Sequence, residues 1–203
     1  MNMNNSIKSI GWFNEIKLSL IATVFLLLLV SGVYPVVIWG VSHLVFAHKA
    51  GGSLIENDHG AVIGSSLLGQ SFTSAKYFHS RPSKAGSGYD ATSSGGSNYG
   101  QTTQSLMDTI KARAISYRAE NGLDSNAILP ADAVTASASG LDPDISLDNA
   151  LMQVQRVAKA RGVGADYVEQ VVRGKLKGRD LGVFGEPRVN VLLLNLALDQ
   201  EGK

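Results

Sequence analysis

The 203-residue chain contains no cysteine. That removes disulfide frameworks, Cys-x-x-Cys redox chemistry and thiolate metal sites together. The absence is compatible with an oxidising compartment without requiring one. Charge is also scarce, at 17% of residues against roughly 25% in an average globular protein. The 18 basic and 17 acidic side chains leave a net charge of +1, so no whole-chain field favours nucleic acid as a partner.

Catalytic motifs are missing as well. No phosphate-binding GxxxxGK[ST] run occurs, because Gly174-Lys175 is followed by Leu176 and lacks the upstream glycine. HExxH, GxSxG and SxxK are absent, as are the Asp-Lys-Thr-Gly phosphorylation run and a TVGYG filter. Gly86-x-Gly88-x-x-Ala91 matches a dinucleotide fingerprint in form only, since Arg81-Pro82-Ser83-Lys84 precedes it instead of a hydrophobic strand. His43, His48, His59 and His79 have no metal-ligand spacing. No catalytic residue, metal site or resident cofactor is expected.

One absence is local and decisive. Residues 18–42 carry no charge; 18 of these 25 are apolar or aromatic and the rest are Gly, Ser, Thr or Pro. As a helix the run would reach roughly 38 Å, against a hydrocarbon core of about 30 Å. Gly32 and Pro35 are tolerated in a membrane helix, and Trp12 and Trp39 stand near its ends as interfacial anchors. A buried core helix would rarely lack a polar face over such a length. Val45-Phe46-Ala47 fits a signal-peptidase pattern, but a secretory apolar core is only about 7–15 residues long. An uncleaved transmembrane helix is therefore expected. Lys8 and Lys17 lie before it and only Lys49 lies close after it. Positive-inside counting then assigns residues 1–17 to the cytoplasm, 18–42 to the membrane, 43–50 to a juxtamembrane linker and 51–203 to a periplasmic domain.

From residue 51 onward there are 15 basic and 16 acidic side chains, and a domain of this size can bury a core. Residues 53–56 and 61–64 flank Asn57-Asp58-His59-Gly60, which is turn chemistry for a β-hairpin. The second strand is expected to run on through Ser66-Leu67-Leu68 toward Phe72. In residues 79–100, 11 of 22 positions are Gly or Ser. Arg81, Pro82, Tyr89, Asn98 and Tyr99 punctuate the segment, so an ordered, contacting loop is expected instead of a flexible linker.

Helices are expected over 103–121, with Leu106, Ile110 and Tyr117 on one face and Ser105 and Asp108 in capping-box spacing; over 147–161, with Ser146 as N-cap and Gly162 as stop; and over about 166–176. The run from Val189 to Leu198 leans to helix, with Pro187 at N1. The fold class is thus one N-terminal transmembrane helix plus a small α+β extramembrane domain, a β-hairpin followed by several helices.

Two segments hold candidate contacts. Ser94-Gly95-Gly96-Ser97-Asn98 either forms a turn-rich loop or turns free backbone N–H groups toward an anion such as phosphate. Residues 137–143 suit a fixed turn in which Asp142 or Asp144 caps the next helix or meets a partner. Gln153, Arg156, Lys159 and Arg161 read as a solvated helix face, with a docking surface as the alternative.

Taken in order, certain runs have a family look: Gly32-Val-Tyr34-Pro35, residues 64–70, Tyr77-Phe-His-Ser-Arg81-Pro82-Ser83, Ser94–Asn98, Ala136–Pro143, Arg156–Arg161, and Gly185–Leu192 with Asn195–Asp199. Together they resemble the C subunit (KdpC) of the bacterial high-affinity potassium-transporting P-type ATPase, the Kdp complex. Gln155 and Lys84 depart from the pattern, standing where a proline and an alanine are expected. The resemblance covers nearly the whole chain. It implies a non-catalytic inner-membrane subunit needed for assembly and stability of the complex. Its implied partners are a potassium-channel-like subunit, an ATP-hydrolysing pump subunit and a small single-helix subunit, besides membrane lipid; potassium is the substrate of the complex. The alternative it implies is a catalytic chaperone that holds ATP with the pump subunit, using Ser94, Gly95, Gly96, Ser97, Asn98 and Gln153. A stand-alone anchored binding module remains a third reading. Partner-facing candidates are Gly32, Tyr34, Pro35, Arg81, Pro82, Asp142, Arg156 and Asn190.

Overall fold

The computed structural model describes residues 11–57 and 59–201, so Lys8 and the Asp58 of the expected turn lie outside the described residues. The chain divides into two units, residues 1–52 and 53–203.

In the first unit the apolar run forms α1 (Trp12–Leu28), a π-helical turn (Leu29–Val33) and α2 (Tyr34–Val45). Together they make one 34-residue helix long and apolar enough to cross a membrane, with none of its most apolar stretch buried. The π turn has a covalent cause. Pro35 has no N–H to donate to Ser31, and its ring crowds the carbonyl one turn back, so the helix widens just before it. A short helix α3 (Ala47–Ala50) follows.

The second unit opens with the expected hairpin, β1 (Leu54–Glu56) antiparallel to β2 (Val62–Ser65). The Asn57 carboxamide shapes its turn by accepting from the N–H groups of His59 and Ala61. The second strand does not continue to Phe72. It stops at Ser65, whose hydroxyl accepts from Leu67 N–H and turns the chain.

Four further helices follow: α4 (Gln104–Asn121), α5 (Ala131–Val134), α6 (Leu147–Arg161) and α7 (Ala165–Gly174). Helices α4 and α6 end on left-handed Gly122 and Gly162. Ser146 caps α6 by accepting from Asn149 N–H at 3.1 Å. The capping box expected for α4 is not used: Thr103 is its N-cap, and Asp108 instead accepts from Gln104.

The C-terminal run corrects the sequence reading. Arg188–Asn190 is a strand, β5, and only Val191–Glu201 is helical, as α8. Pro187 therefore precedes a strand and is not the N1 residue of a helix. The cause is non-local. β5 is the centre of a three-stranded antiparallel sheet between β3 (Asp144–Ser146) and β4 (Leu176–Lys177). Ile145 pairs with Val189, and Val189 with Leu176, so one row faces the core, as the period of two requires. Asn190 then caps α8 through its side-chain oxygen, accepting from Leu193 N–H.

The core lies where α6, α7 and α8 meet this sheet. Phe78, Val157, Val168, Val172, Val189 and Leu194 are fully buried there, with Ile145, Val191 and Leu198 nearly so. Each such side chain contributes roughly 1.5–3 kcal/mol of burial. Phe78 comes from no helix or strand. It is delivered by the long segment between β2 and α4.

Candidate functional site

That segment, residues 66–103, is held at Phe78 and His79 by side chains reaching from elsewhere. Phe78 N–H donates to the Asn195 side-chain oxygen at 2.8 Å, and the Asn195 amide nitrogen donates back to Phe78 C=O at 3.0 Å. Gln153 does the same one residue on, accepting from His79 N–H at 2.7 Å and donating to His79 C=O at 3.1 Å. Two carboxamides, one on α8 and one on α6, thus imitate the neighbouring strand of a sheet. Both are 1% exposed, so every polar atom they carry must be matched.

The matching extends outward as a network. Gln153 donates to Asn149 and accepts from Arg156. Asn149 accepts from the Tyr117 hydroxyl and donates to Asp132, which also accepts from Ser146. Arg156 donates to the carbonyls of Ala75 and Tyr77 and to the Asn121 side chain. Arg161 reaches the carbonyls of Lys76 and Leu198 and pairs with Asp199, which also accepts from the Tyr77 hydroxyl.

Burial shifts the titration of these groups. The Tyr117 hydroxyl is pushed well above its usual range, mainly by burial and then by the nearby Asp132 carboxylate. His79 is lowered by burial and by the Arg156 guanidinium, against the opposing pull of Glu120, whose carboxylate lies 2.9 Å from its Nδ1. The Ser74 carbonyl, 3.2 Å from Nε2, also pulls it upward, so acceptors stand at both ring nitrogens.

Further along, Ser83 donates to Gly140 C=O and accepts from the N–H groups of Ala85 and Tyr89. The Tyr89 hydroxyl returns to Arg81 C=O. Ser94 Oγ and Gly95 N–H both donate to Ser139 C=O at 2.9 Å. Gly140, at φ +68, sits so close that a Cβ there would lie 2.6 Å from both Ala85 N and Gly95 O. The Gly/Ser run is therefore an ordered loop packed on residues 138–140, and Asn98 sits at φ +51 just beyond it.

The sequence candidates fall into separate places. Ser94 and Gly95 bond to Ser139, and Gly96 packs on Ala138; Ser97 is half-buried and Asn98 exposed. Gln153 has different partners, in the core. Arg81 Nη1 pairs with Asp142 at 2.8 Å, with half-buried Pro82 beside it. Asn190 donates to Ser66 C=O besides capping α8. Gly32 lies in the π turn, and Tyr34 and Pro35 open α2. The solvated-face reading of residues 153–161 is overturned for all but Lys159: Gln153 is buried, and Arg156 and Arg161 are partly buried, each holding several partners.

Sequence reasoning missed Asn149 and Asn195. Their signal was present, as amides at helical spacing inside apolar stripes.

Arg81 and Asp142 also line a surface groove with Asp132, Asp144, Asp148, Glu186 and Arg188. Five carboxylates there face two guanidinium groups. Arg188 bonds to Asp144 across the sheet at 3.1 Å. Asp144 is raised above the usual carboxylate range by burial, and also by repulsion from Asp142. Among the described residues, no cluster of His, Asp and Glu suits a metal ion.

Comparison with known proteins gives one consistent answer. The family described as "KdpC: K+-transporting ATPase, c chain" matches residues 16–200. A protein of Nitratidesulfovibrio vulgaris is 52% identical over 185 residues, covering 91% of this chain and 93% of its own length. One of Mycobacterium tuberculosis (strain H37Rv) is 51% identical over 168 residues, covering 83% and 88%. One of Myxococcus xanthus is 47% identical over 188 residues, covering 93% and 89%. All three carry the name "Potassium-transporting ATPase KdpC subunit".

Proposed function

Because the chain belongs to the KdpC family, the c chains of K+-transporting ATPases, we propose that it is the membrane-anchored accessory subunit of an ATP-driven potassium importer. The observation that carries this reading is that the similarity runs through both units, from residue 16 in the long apolar helix to residue 200 in α8. A relative that shared only the domain would not speak for the anchor.

The helix enters the bilayer with its N-terminus in the cytoplasm, in line with Lys17 just before its uncharged run and the charge count above. It packs against helices of the channel-like and pump subunits along its small residues, Ser31 and Gly32 at the π turn among them. The domain then stands outside, over the potassium entrance, and clamps the assembly. It does no chemistry of its own; its buried amide network makes it a rigid part. Support for rigidity over nucleotide contact comes from Gln153, whose amide is fully engaged inside the core, and from Gly95, whose N–H is given to Ser139.

Topology tests this reading. A single cysteine at Ser97 of the cysteine-free chain is expected to react, in intact cells, with a thiol reagent that crosses the outer membrane but not the inner one. Labelling only after the inner membrane is opened would sink the external clamp. It would put the Gly/Ser loop on the side of the ATP pool and favour the nucleotide-chaperone alternative.

A further inference from the structure

The membrane helix leaves polar groups unmatched at the depth where lipid cannot match them. Val30 is the midpoint of the uncharged run 18–42. Tyr34 N–H, the donor that a regular helix would aim at Val30 C=O, reaches back five residues to Leu29 C=O instead. The next donor along would be that of Pro35, which has none. The π turn thus serves Leu29 and leaves the Val30 carbonyl without a partner in the helix, while the same proline deprives Ser31 C=O of its regular donor. Among the described residues nothing bonds the hydroxyls of Ser31 and Tyr34 either. Other polar groups of the helix are provided for. Thr23 Oγ1 donates to Ser19 C=O at 2.8 Å, and His43 Nδ1 lies 2.9 Å from Trp39 C=O. Ser19 and Ser42 stand at the two ends of the run, within reach of water and headgroups.

These unmet bonds choose the occupant. An acyl chain offers no hydrogen bond, and a backbone carbonyl left bare in hydrocarbon is strongly unfavourable. Proline is tolerated in membrane helices where a neighbouring helix can satisfy the groups it frees. Gly32 lies inside the same turn and has no side chain to hold such a neighbour away. A charged donor at this depth would carry its own large cost. We propose that Val30 C=O and the Ser31 hydroxyl form a seat at the centre of the bilayer for an uncharged polar side chain, a carboxamide or a hydroxyl, on a membrane helix of another subunit of the complex. Its donor goes to the Val30 carbonyl, and its oxygen accepts from Ser31. This rests on the accessory-subunit reading above and names the chemistry of its contact within the membrane.

The test uses the whole complex, purified in mild detergent through an affinity tag on this full-length chain. The wild type is expected to bring down the other subunits. Gly32→Leu, which fills the approach, is expected to lower their recovery by on the order of tenfold. Ser31→Ala is expected to lower it about threefold, the usual worth of one hydrogen bond between membrane helices. Ser31→Thr keeps the hydroxyl and is expected to keep the recovery. Pro35→Ala returns a donor to the helix and is expected to lower recovery at least as far as Ser31→Ala. Thr23→Ala, whose hydroxyl is already engaged within the helix, is expected to behave as wild type. Full recovery with Ser31→Ala overturns the inference while the accessory-subunit reading stands. That holds even where Pro35→Ala loses subunits, since removing the proline also turns one half of the helix against the other. Near-complete disulfide pairing of Ser31→Cys in isolated membranes, in a chain with no other cysteine, would give the seat to a second copy and overturn the inference too. Failure of the wild type to bring down any subunit removes the parent reading and the inference with it.

Discussion

Two segments of the extramembrane unit are rich in glycine and free of long elements, yet they behave in opposite ways. Residues 79–100 are pinned at several points, led in by Phe78 with no exposed surface and held by Gln153 of α6, the Asp142 side chain and the carbonyls of Ser139 and Gly140. Residues 178–185 are self-contained, closed by their own backbone bonds and ion pairs, and they turn Leu181, Val183 and Phe184 outward. Glycine content does not distinguish the two. What does is whether distant parts of the chain supply the hydrogen bonds that a loop backbone cannot make with itself. Asn195 and Gln153 do so for Phe78 and His79, across 117 and 74 residues of chain.

That contrast is best broken at its anchor. Phe78→Ala should lower the stability of the extramembrane unit by roughly 3–5 kcal/mol, the usual cost of emptying a phenylalanine site in a packed core. Thermal unfolding of the purified chain in detergent measures it, and a loss under 1 kcal/mol would mean that the segment is not tied to the core. Gln153→Ala should cost about 2–3 kcal/mol, because it leaves the His79 N–H and C=O and part of Asn149 buried without partners. Limited proteolysis should then cut within residues 79–100 first; unchanged protection there would contradict the clamp.

A glycine pair sharpens the comparison. Gly140 (φ +68) and Gly182 (φ +76) share a left-handed backbone, but a Cβ at Gly140 meets Ala85 and Gly95 whereas one at Gly182 meets nothing within 4 Å. Gly182→Ala should cost about 1–2 kcal/mol for the backbone alone, and Gly140→Ala clearly more. Equal melting shifts would mean that the loop yields freely. The smallest effect concerns pH. His79 is lowered in the folded state, so the unfolded chain binds more protons below the ordinary histidine pKa of about 6.5. Its contribution is fully present above that value and is lost as pH falls toward the folded pKa. The melting temperature should drop modestly between pH 7.5 and 5.5, and less so in His79→Asn; a rise on acidification would refute the sign.

Local chemistry by itself determined the apolar membrane run, the hairpin around Asn57, the helix ends at Gly122 and Gly162, the Ser146 cap and the absence of catalytic motifs. All of these are decided by residues within one turn or one span of each other. The ordering of residues 79–100 was signalled too, by aromatic, Arg and Pro residues that a linker does not need. Tertiary structure alone decided that Val189 lies in a strand, since three residues become a strand only when β3 and β4 flank them. It decided equally that Gln153 and Arg161 face inward, because a polar side chain on a helix is solvated or buried according to what packs above it. For α6 that is a chain segment more than 70 residues away, which no local pattern can register.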